Sequence, residues 1–378
     1  MSILFLTQYY SGLGHSMRIK HIAEETAKLT DCYIVNHLFK PPLKIEGIKK
    51  EFTLVQPKDY DHSEPNIFKA LMKEPLILKR IDRWKQFLDD NPIKLIVSEG
   101  FPFCRHQWAF ELFAFFEAAK KRDIKIVCSI RDFPWDEPHE QGLKDWVATT
   151  QNLVVKYYLD KVLIHGDPKV LPLLPDSLAF CDPASLNKDI EDKIKYTGYV
   201  TNPNQGQHSK KNNKVYVSVG LNKEETLSIF AHILRAATNF PELDFVVLLA
   251  NKKLKDRIGQ RKAKNILVVD YIPNLAKLIE SSTMFITYGG YNSTMEIISS
   301  GTPSIIIPRE DGGKVEQFVR SYVMKPYDLF KVCSVKNLNN ISKQIQEILD
   351  EYDKFPKKCE FNLNGAKETA NTLYRCSQ

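Results

Sequence analysis

Residues 286–317 read ITYGGYNSTMEIISSGTPSIIIPREDGGKVEQ, and the order of features along them decides the fold. An apolar strand, Met284 to Ile286, feeds a loop with paired glycines, Gly289 and Gly290. A polar helix start follows at Asn292-Ser293-Thr294, with Glu296 one turn in. A second apolar strand runs from Ser304 to Ile307, and a polar turn ends in Glu316-Gln317. Strand, glycine loop and helix start form an anion site, because backbone N–H groups and the helix dipole both point at the loop. Glu296 adds a carboxylate able to accept hydrogen bonds from two neighbouring hydroxyls, as a ribose offers. Together they suggest a pocket for a nucleoside diphosphate. Each feature also has a plainer use. A first-turn Glu296 complements the helix dipole without a ligand. Asn292 and Ser293 serve as N-caps, and Glu316 and Gln317 as a solvated helix start.

Strands and helices alternate on both sides of this segment, which argues for α/β with parallel sheets. Upstream, the pattern predicts strands over 2–7, 32–36, 95–98, 124–130 and 162–165, with helices over 16–28 and 107–121. A basic and apolar helical region over 67–89 is broken or kinked at Pro75. Residues 201–214, TNPNQGQHSKKNNK, contain no apolar side chain and read as a linker. After it come a strand over 215–219, a helix over 224–237, strands over 245–249 and 266–269, and a helix over 275–280. The expected architecture is two doubly wound Rossmann-like domains, over 1–200 and 215–350, facing across a cleft at the carboxyl ends of their strands. A helical tail over 351–378 has room to pack back on the first domain.

At 378 residues the chain is long enough for two such domains. Its 43% hydrophobic and 26% charged residues are those of a globular protein, and no apolar run is long enough to span a membrane. The start, MSILFLTQYY, reads as a first strand and not as a signal peptide. Seven scattered cysteines without a CxxC pair favour reduced thiols and a cytoplasmic location. The net charge of +7 permits attraction to phosphorylated substrates or to an anionic membrane surface. No basic run interleaved with aromatics points to nucleic acid. Lys79, Arg80, Arg83 and Lys85 lie near Leu78, Trp84 and Phe87. They suit either a solvated helix face or a helix lying peripherally on the inner membrane face. The aromatic helix around Trp108, Phe110, Phe113 and Phe116 reads as core.

The first strand-to-helix turn, residues 8–18, reads QYYSGLGHSMR. Gly12 and Gly14 let the backbone turn tightly and approach a ligand. His15 sits at the mouth of the first helix, where a neutral imidazole takes a proton at physiological pH. Arg18 follows one turn later, within reach of a phosphate. A structural turn with a helix-capping histidine would read the same way. Glu99 and Arg105 in the segment after one strand, and Arg131-Asp132 at the end of another, mark residues at strand carboxyl ends. They serve either an acceptor or a structural ion pair. No H-E-x-x-H, Walker A or GxSxG pattern occurs, and carboxylates are not clustered as metal ligands. The charge of a departing diphosphate would therefore fall to helix termini and basic side chains, with no metal and no cofactor.

These residues resemble a known group. The phrase YIPNLAKLIESSTMFITYGGYNSTMEIISSGTPSIIIP, residues 271–308, is similar to nucleotide-sugar glycosyltransferases of the two-Rossmann (GT-B) fold, in the MurG-like branch, family 28. The first half, in GLGHSMR, SEGFPFCRHQWAFELFAFFEAAKKR, IRDFPWDEP, HGDPKVLP and KYTGYV, resembles a narrower set of predicted bacterial glycosyltransferases. The resemblance implies that Glu296 binds the ribose hydroxyls and that Gly289, Gly290, Asn292 and Ser293 cradle the diphosphate. Tyr271 and Ile272 would contact the base, usually uracil, and Gln317 with Glu316 would meet the sugar. His15 would be the catalytic histidine. In the loop Val219-Gly220-Leu221-Asn222-Lys223, Gly220 stands where the family has several glycines, and Lys223 offers charge instead. The expected activity is inverting, metal-independent transfer of a sugar from a nucleotide donor, with uridine as the expected base, to the hydroxyl of an unidentified acceptor. A nucleotide-sugar hydrolase and a non-catalytic nucleotide-sugar binder are the alternatives.

Overall fold

Short apolar runs, buried from end to end in the central strands Ser2–Thr7, Leu95–Glu99 and Met284–Thr287, build two parallel sheets. The computed structural model describes residues 2–9, 14–56, 59, 66–132, 141–170, 192–202, 212–219, 224–249, 252, 255–256, 263–272, 275–309, 316–352 and 359–378. The chain divides into two units, Met1–Val200 with Asn362–Gln378, and Thr201–Phe361. Gly12, Gly220, Lys223 and residues 203–211 of the expected linker lie outside the described residues.

In the first unit the chain forms β1 (Ser2–Thr7), α1 (Gly14–Ala27), β2 (Asp31–Asn36), β3 (Ile48–Thr53), α2 (Ile67–Leu71) and α3 (Glu74–Asp90). Then come β4 (Leu95–Glu99), α4 (Ala109–Lys120), β5 (Lys125–Arg131), α5 (Gln141–Tyr157), β6 (Lys161–His165) and β7 (Ile194–Tyr196). The sheet order is β3-β2-β1-β4-β5-β6-β7. β1 and β4 show no exposed residue, as strands covered on both faces require.

The second unit contains β8 (Lys214–Ser218), α6 (Glu224–Ala237), β9 (Asp244–Leu248), β10 (Ile266–Val269), α7 (Leu275–Ser281) and β11 (Met284–Thr287). It continues with α8 (Tyr291–Ser300), β12 (Ser304–Ile306), α9 (Glu316–Met324), β13 (Lys331–Val332) and α10 (Ile341–Asp350). Its order is β10-β9-β8-β11-β12-β13. Lys214, counted with the linker on sequence, is the first residue of β8.

The last helix, α11 (Gly365–Ser377), belongs to the first unit, where it packs on α1. The Tyr199 amide donates to the Asn362 carbonyl at 2.7 Å, and the Gly365 amide returns a bond to Tyr199 at 2.9 Å. A side chain at Gly365 would meet the Gly198 carbonyl oxygen at 2.3 Å, so only glycine permits this crossing.

The strands that the sequence pattern misses are those with least to bury. β3, at one sheet edge, exposes the consecutive residues Lys49, Lys50 and Glu51, the charged dress of an edge strand. β7 and β13, also edges, have three and two residues. The helix α5 was missed as well; it exposes Trp146, Leu153 and Tyr157, which blurs its periodicity. Pro75 sits in the first turn of α3, after a break at residues 72–73, where its missing N–H costs nothing.

Two surface expectations change. Arg80 is not part of a solvated or membrane-facing cationic stripe: it is fully buried, and Nε and Nη2 donate to Glu111 at 2.6 and 2.9 Å. Arg83 in turn pairs with Asp59. α3 can afford this because Trp84 stacks on Phe115 of α4 at 4.9 Å and buries the same face. Phe110, expected in the core, is 84% exposed, whereas Trp108 and Phe116 are buried. Among the described residues no helix is long and apolar enough to cross a membrane.

Glu111 also lies 3.0 Å from His37 Nε2, so one buried carboxylate serves two donors. Burial pushes its pKa up, but His37 and Arg80 outweigh burial and hold it below the usual carboxylate range. Glu111→Ala strands the buried Arg80 cation and should cost about 3–5 kcal/mol in urea unfolding. A cost below about 1 kcal/mol, the range of an exposed pair, would show that the pair does not hold α3 to α4.

Candidate functional site

Each sheet reverses strand order once, between β1 and β4 in the first unit and between β8 and β11 in the second. A crevice for ligands opens beyond the carboxyl ends of the strands at such a reversal. The candidate residues gather at these two places.

In the first unit, β4 ends at Glu99 while α1 opens at Gly14, so His15 meets Glu99 across the reversal. His15 Nδ1 lies 2.5 Å from Glu99 Oε1, and Arg18 Nη2 donates to the same oxygen at 2.9 Å. Glu99 and Arg18 are 2% and 3% exposed, whereas the His15 side chain keeps 26%. A carboxylate only accepts, so the proton on His15 sits on Nδ1 and Nε2 carries the lone pair. Burial pulls the His15 pKa below the ordinary histidine value; Glu99 opposes this, and Arg18 and Arg131 reinforce it. Burial alone would push Glu99 up, but His15, Arg18 and Arg105 bring it far below the usual range. At neutral pH the pair is therefore a neutral imidazole held by an ionised carboxylate.

Glu99, read on sequence as an acceptor-side residue or an ion-pair partner, is the orienting partner of His15, and Arg18, read as within reach of a phosphate, directs a donor to that carboxylate. Arg105 adopts a left-handed conformation, φ 69°, at the start of the 3-10 turn His106–Trp108. A non-glycine residue there is uncommon and tends to mark a functional loop. Arg131 is the last residue of β5 and pairs in register with His165 of β6, while Asp132 beyond it is buried. His165 was not assigned a role on sequence. It is fully buried, with Nε2 at 2.7 Å from Ser129 Oγ and Nδ1 at 2.9 Å from Thr197 Oγ1. Burial drives its pKa well down, which makes it a neutral brace behind Glu99 and Arg18.

In the second unit, β11 runs into Tyr288-Gly289-Gly290 and then α8. Gly289 has φ +74°, and a Cβ there would sit 2.5 Å from Ile306. At Gly290 a Cβ would meet nothing within 4 Å, so the backbone there is open to a ligand. Gly290 is the N-cap of α8 without any side-chain cap, and the Thr294 amide returns to its carbonyl at 2.9 Å. This corrects the capping roles considered for Asn292 and Ser293, which occupy the second and third helical positions. It also removes the dipole reading of Glu296, since the first turn of α8 holds no acid. Burial raises Glu296 to about 7, so near neutral pH it can both donate to and accept from a diol.

Glu316 and Gln317 open α9, and Gln317 Oε1 accepts from the Arg309 amide at 3.4 Å. Tyr271, just beyond β10, is 74% exposed, while Ile272 beside it is buried. The structure thus groups Gly14, His15, Arg18, Glu99, Arg105 and Arg131 in the first unit. In the second it gathers Gly289, Gly290, Asn292, Ser293, Glu296 and Gln317 around α8 and α9.

Residues 204–373 match the family described as "Glycosyltransferase family 28 C-terminal domain". The "Uncharacterized UDP-glucosyltransferase YojK" of Bacillus subtilis (strain 168) is 26% identical over 168 residues, 43% of this chain and 40% of that protein. The "UDP-N-acetylglucosamine--N-acetylmuramyl-(pentapeptide) pyrophosphoryl-undecaprenol N-acetylglucosamine transferase" of Thermosipho africanus (strain TCF52B) is 29% identical over 116 residues, 30% of this chain and 35% of that one. The matched stretches span less than half of either relative. Among solved structures, MurG of Acinetobacter baumannii superposes with a TM-score of 0.58 at 12% identity, covering 99% of this chain and 100% of that one. That likeness is one of fold: two Rossmann-like units of the GT-B architecture.

The His15–Glu99 geometry has a direct test. In an NMR pH titration the His15 ring should protonate below 6.5. In Glu99→Gln it should protonate lower still, because the anion that favours imidazolium is gone while Arg18 and Arg131 stay. A midpoint at or above 6.5 in the wild type, or a rise in the variant, would contradict the arrangement.

Proposed function

We propose, on the premise of a family 28 glycosyltransferase domain in residues 204–373, that the protein is an inverting, metal-independent glycosyltransferase using a UDP-sugar. The observation that carries this reading is the imidazole of His15, held by buried Glu99 with Nε2 unprotonated. A merely binding protein has no need of an oriented base. UDP as the carrier is supported by the names of both curated relatives.

In this reading the second unit holds the donor. The opening of α8 at Gly290, with Asn292 and Ser293, takes the diphosphate. Glu296 takes the ribose diol, Tyr271 and Ile272 meet the base, and Glu316 with Gln317 meets the sugar. The acceptor hydroxyl oxygen attacks the anomeric carbon as its proton passes to His15 Nε2. The bond from that carbon to the diphosphate oxygen breaks, and UDP leaves with the electron pair. Glu99 stabilises the imidazolium that forms. The dipole and amides of α8 meet the charge growing on the diphosphate, so the scheme calls for no metal and no cofactor. The single face attack inverts the anomeric configuration. Arg105, Arg131 and Asp132 remain candidates for the acceptor. The reading places the protein in the cytoplasm, with no nucleic acid partner.

Thermal shift should show stabilisation by UDP over GDP, TDP and ADP, and Glu296→Ala should abolish it. His15→Ala should keep UDP binding but lose about 10²–10⁴-fold in turnover of a UDP-sugar, the usual contribution of a general base. No shift with any nucleotide would sink the assignment. Rapid accumulation of free sugar from UDP-sugar alone would replace transfer by hydrolysis, and full turnover in His15→Ala would remove His15 from the mechanism.

A further inference from the structure

We infer that Arg320 is a positioning residue that sets the Gly289–Gly290 turn for the diphosphate, and that α9 thereby links sugar contacts to phosphate contacts. The inference rests on the donor site proposed above. Arg320 lies in the second turn of α9 and is completely buried. Nη1 donates to the Gly289 carbonyl at 3.1 Å, and the guanidinium lies 5.6 Å from the Tyr291 ring centroid. One buried cation therefore touches the residue before Gly290 and the residue after it, bracketing the N-cap of α8. The guanidinium fork suits this double duty, one edge donating and the face resting on a ring.

The rest of the turn is clamped from the same side. Ile306 of β12 and Ser321 of α9 leave no room for a side chain at Gly289, where a Cβ would sit 2.5 Å from Ile306 and 3.2 Å from Ser321 Oγ. Ser321 Oγ is fixed in turn by its bond to the Gln317 carbonyl at 2.6 Å. Gly289 is thus packed while Gly290 is open, so the turn can present its amides only to the open side. Gln317 stands one helical turn before Arg320, so a shift of α9 that followed the sugar would move the strut behind the phosphate turn. The positive charge of Arg320 behind the turn also adds to the field of the α8 terminus.

Calorimetric and ligand-observed NMR affinities for uridine and UDP, on wild type, Arg320→Met and Arg320→Lys, test this. A lost bond to a positioned carbonyl, with the charge removed, should weaken UDP about tenfold or more in Arg320→Met. Uridine, which has no phosphate, should bind unchanged. Arg320→Lys should recover part of the loss and serves alone if Arg320→Met does not fold. Unchanged UDP affinity, or an equal loss for uridine and UDP, overturns the inference. Absence of UDP binding in the wild type would instead overturn the donor site itself, and the inference with it.

Discussion

One carboxylate oxygen, Glu99 Oε1, organises the first unit. It accepts from His15 and from Arg18 at the same time, where its sheet reverses between β1 and β4. Burying a carboxylate is costly unless its charge is met, and here the His15 and Arg18 donors and the nearby guanidinium of Arg105 meet it. Because the anion is satisfied by Arg18, it stays ionised when His15 is neutral. Because it accepts from Nδ1–H, it fixes which nitrogen of His15 is basic. His165, itself braced by Ser129 and Thr197, closes the back of this arrangement. A single carboxylate thus supplies the tautomer and orientation through His15 and the charge balance through Arg18 that the proposed chemistry requires.

The second unit solves a different problem with similar parts. Its reversal point offers a helix start with a glycine N-cap that no side chain caps, kept in shape from behind by Arg320 and Ser321 of α9. Glu296 lies in the second turn, where the helix dipole gives an acid little reward. Burial there raises its pKa to about 7. A carboxyl group kept at that cost in a crevice is the kind of site that ligand binding repays.

The sheets were legible in the sequence because their central strands are continuous apolar runs; SILFLT, LIVSE and MFIT need both faces covered and can stand only in the middle. Three of the four edges were not: IKKEFT, IKY and KV bury too little to leave a pattern, whereas the apolar edge strand ILVV did leave one. The site was legible where chemistry is local, as in the paired glycines of 289–290 and the histidine at the mouth of α1. It was not legible where a charge is buried by partners far away in sequence. Nothing near Arg80 announces Glu111, 31 residues on; nothing near Arg320 announces Gly289, 31 residues back. Glu99 read as a cleft-lining acid because its partner His15 lies 84 residues earlier. Sequence proximity shows which residues are polar, and only the fold shows which of them face each other.

In the proposed mechanism His15, oriented by Glu99, is the base of a UDP-sugar reaction. The pH dependence of kcat/KM for a UDP-sugar tests it most directly. A plateau is expected at neutral pH and a fall of tenfold per unit on the acid side, with its midpoint below 6.5 because burial disfavours imidazolium. His15→Ala should lack that limb. A limb that survives in His15→Ala, or an acid limb in the wild type with its midpoint above 6.5, would contradict it.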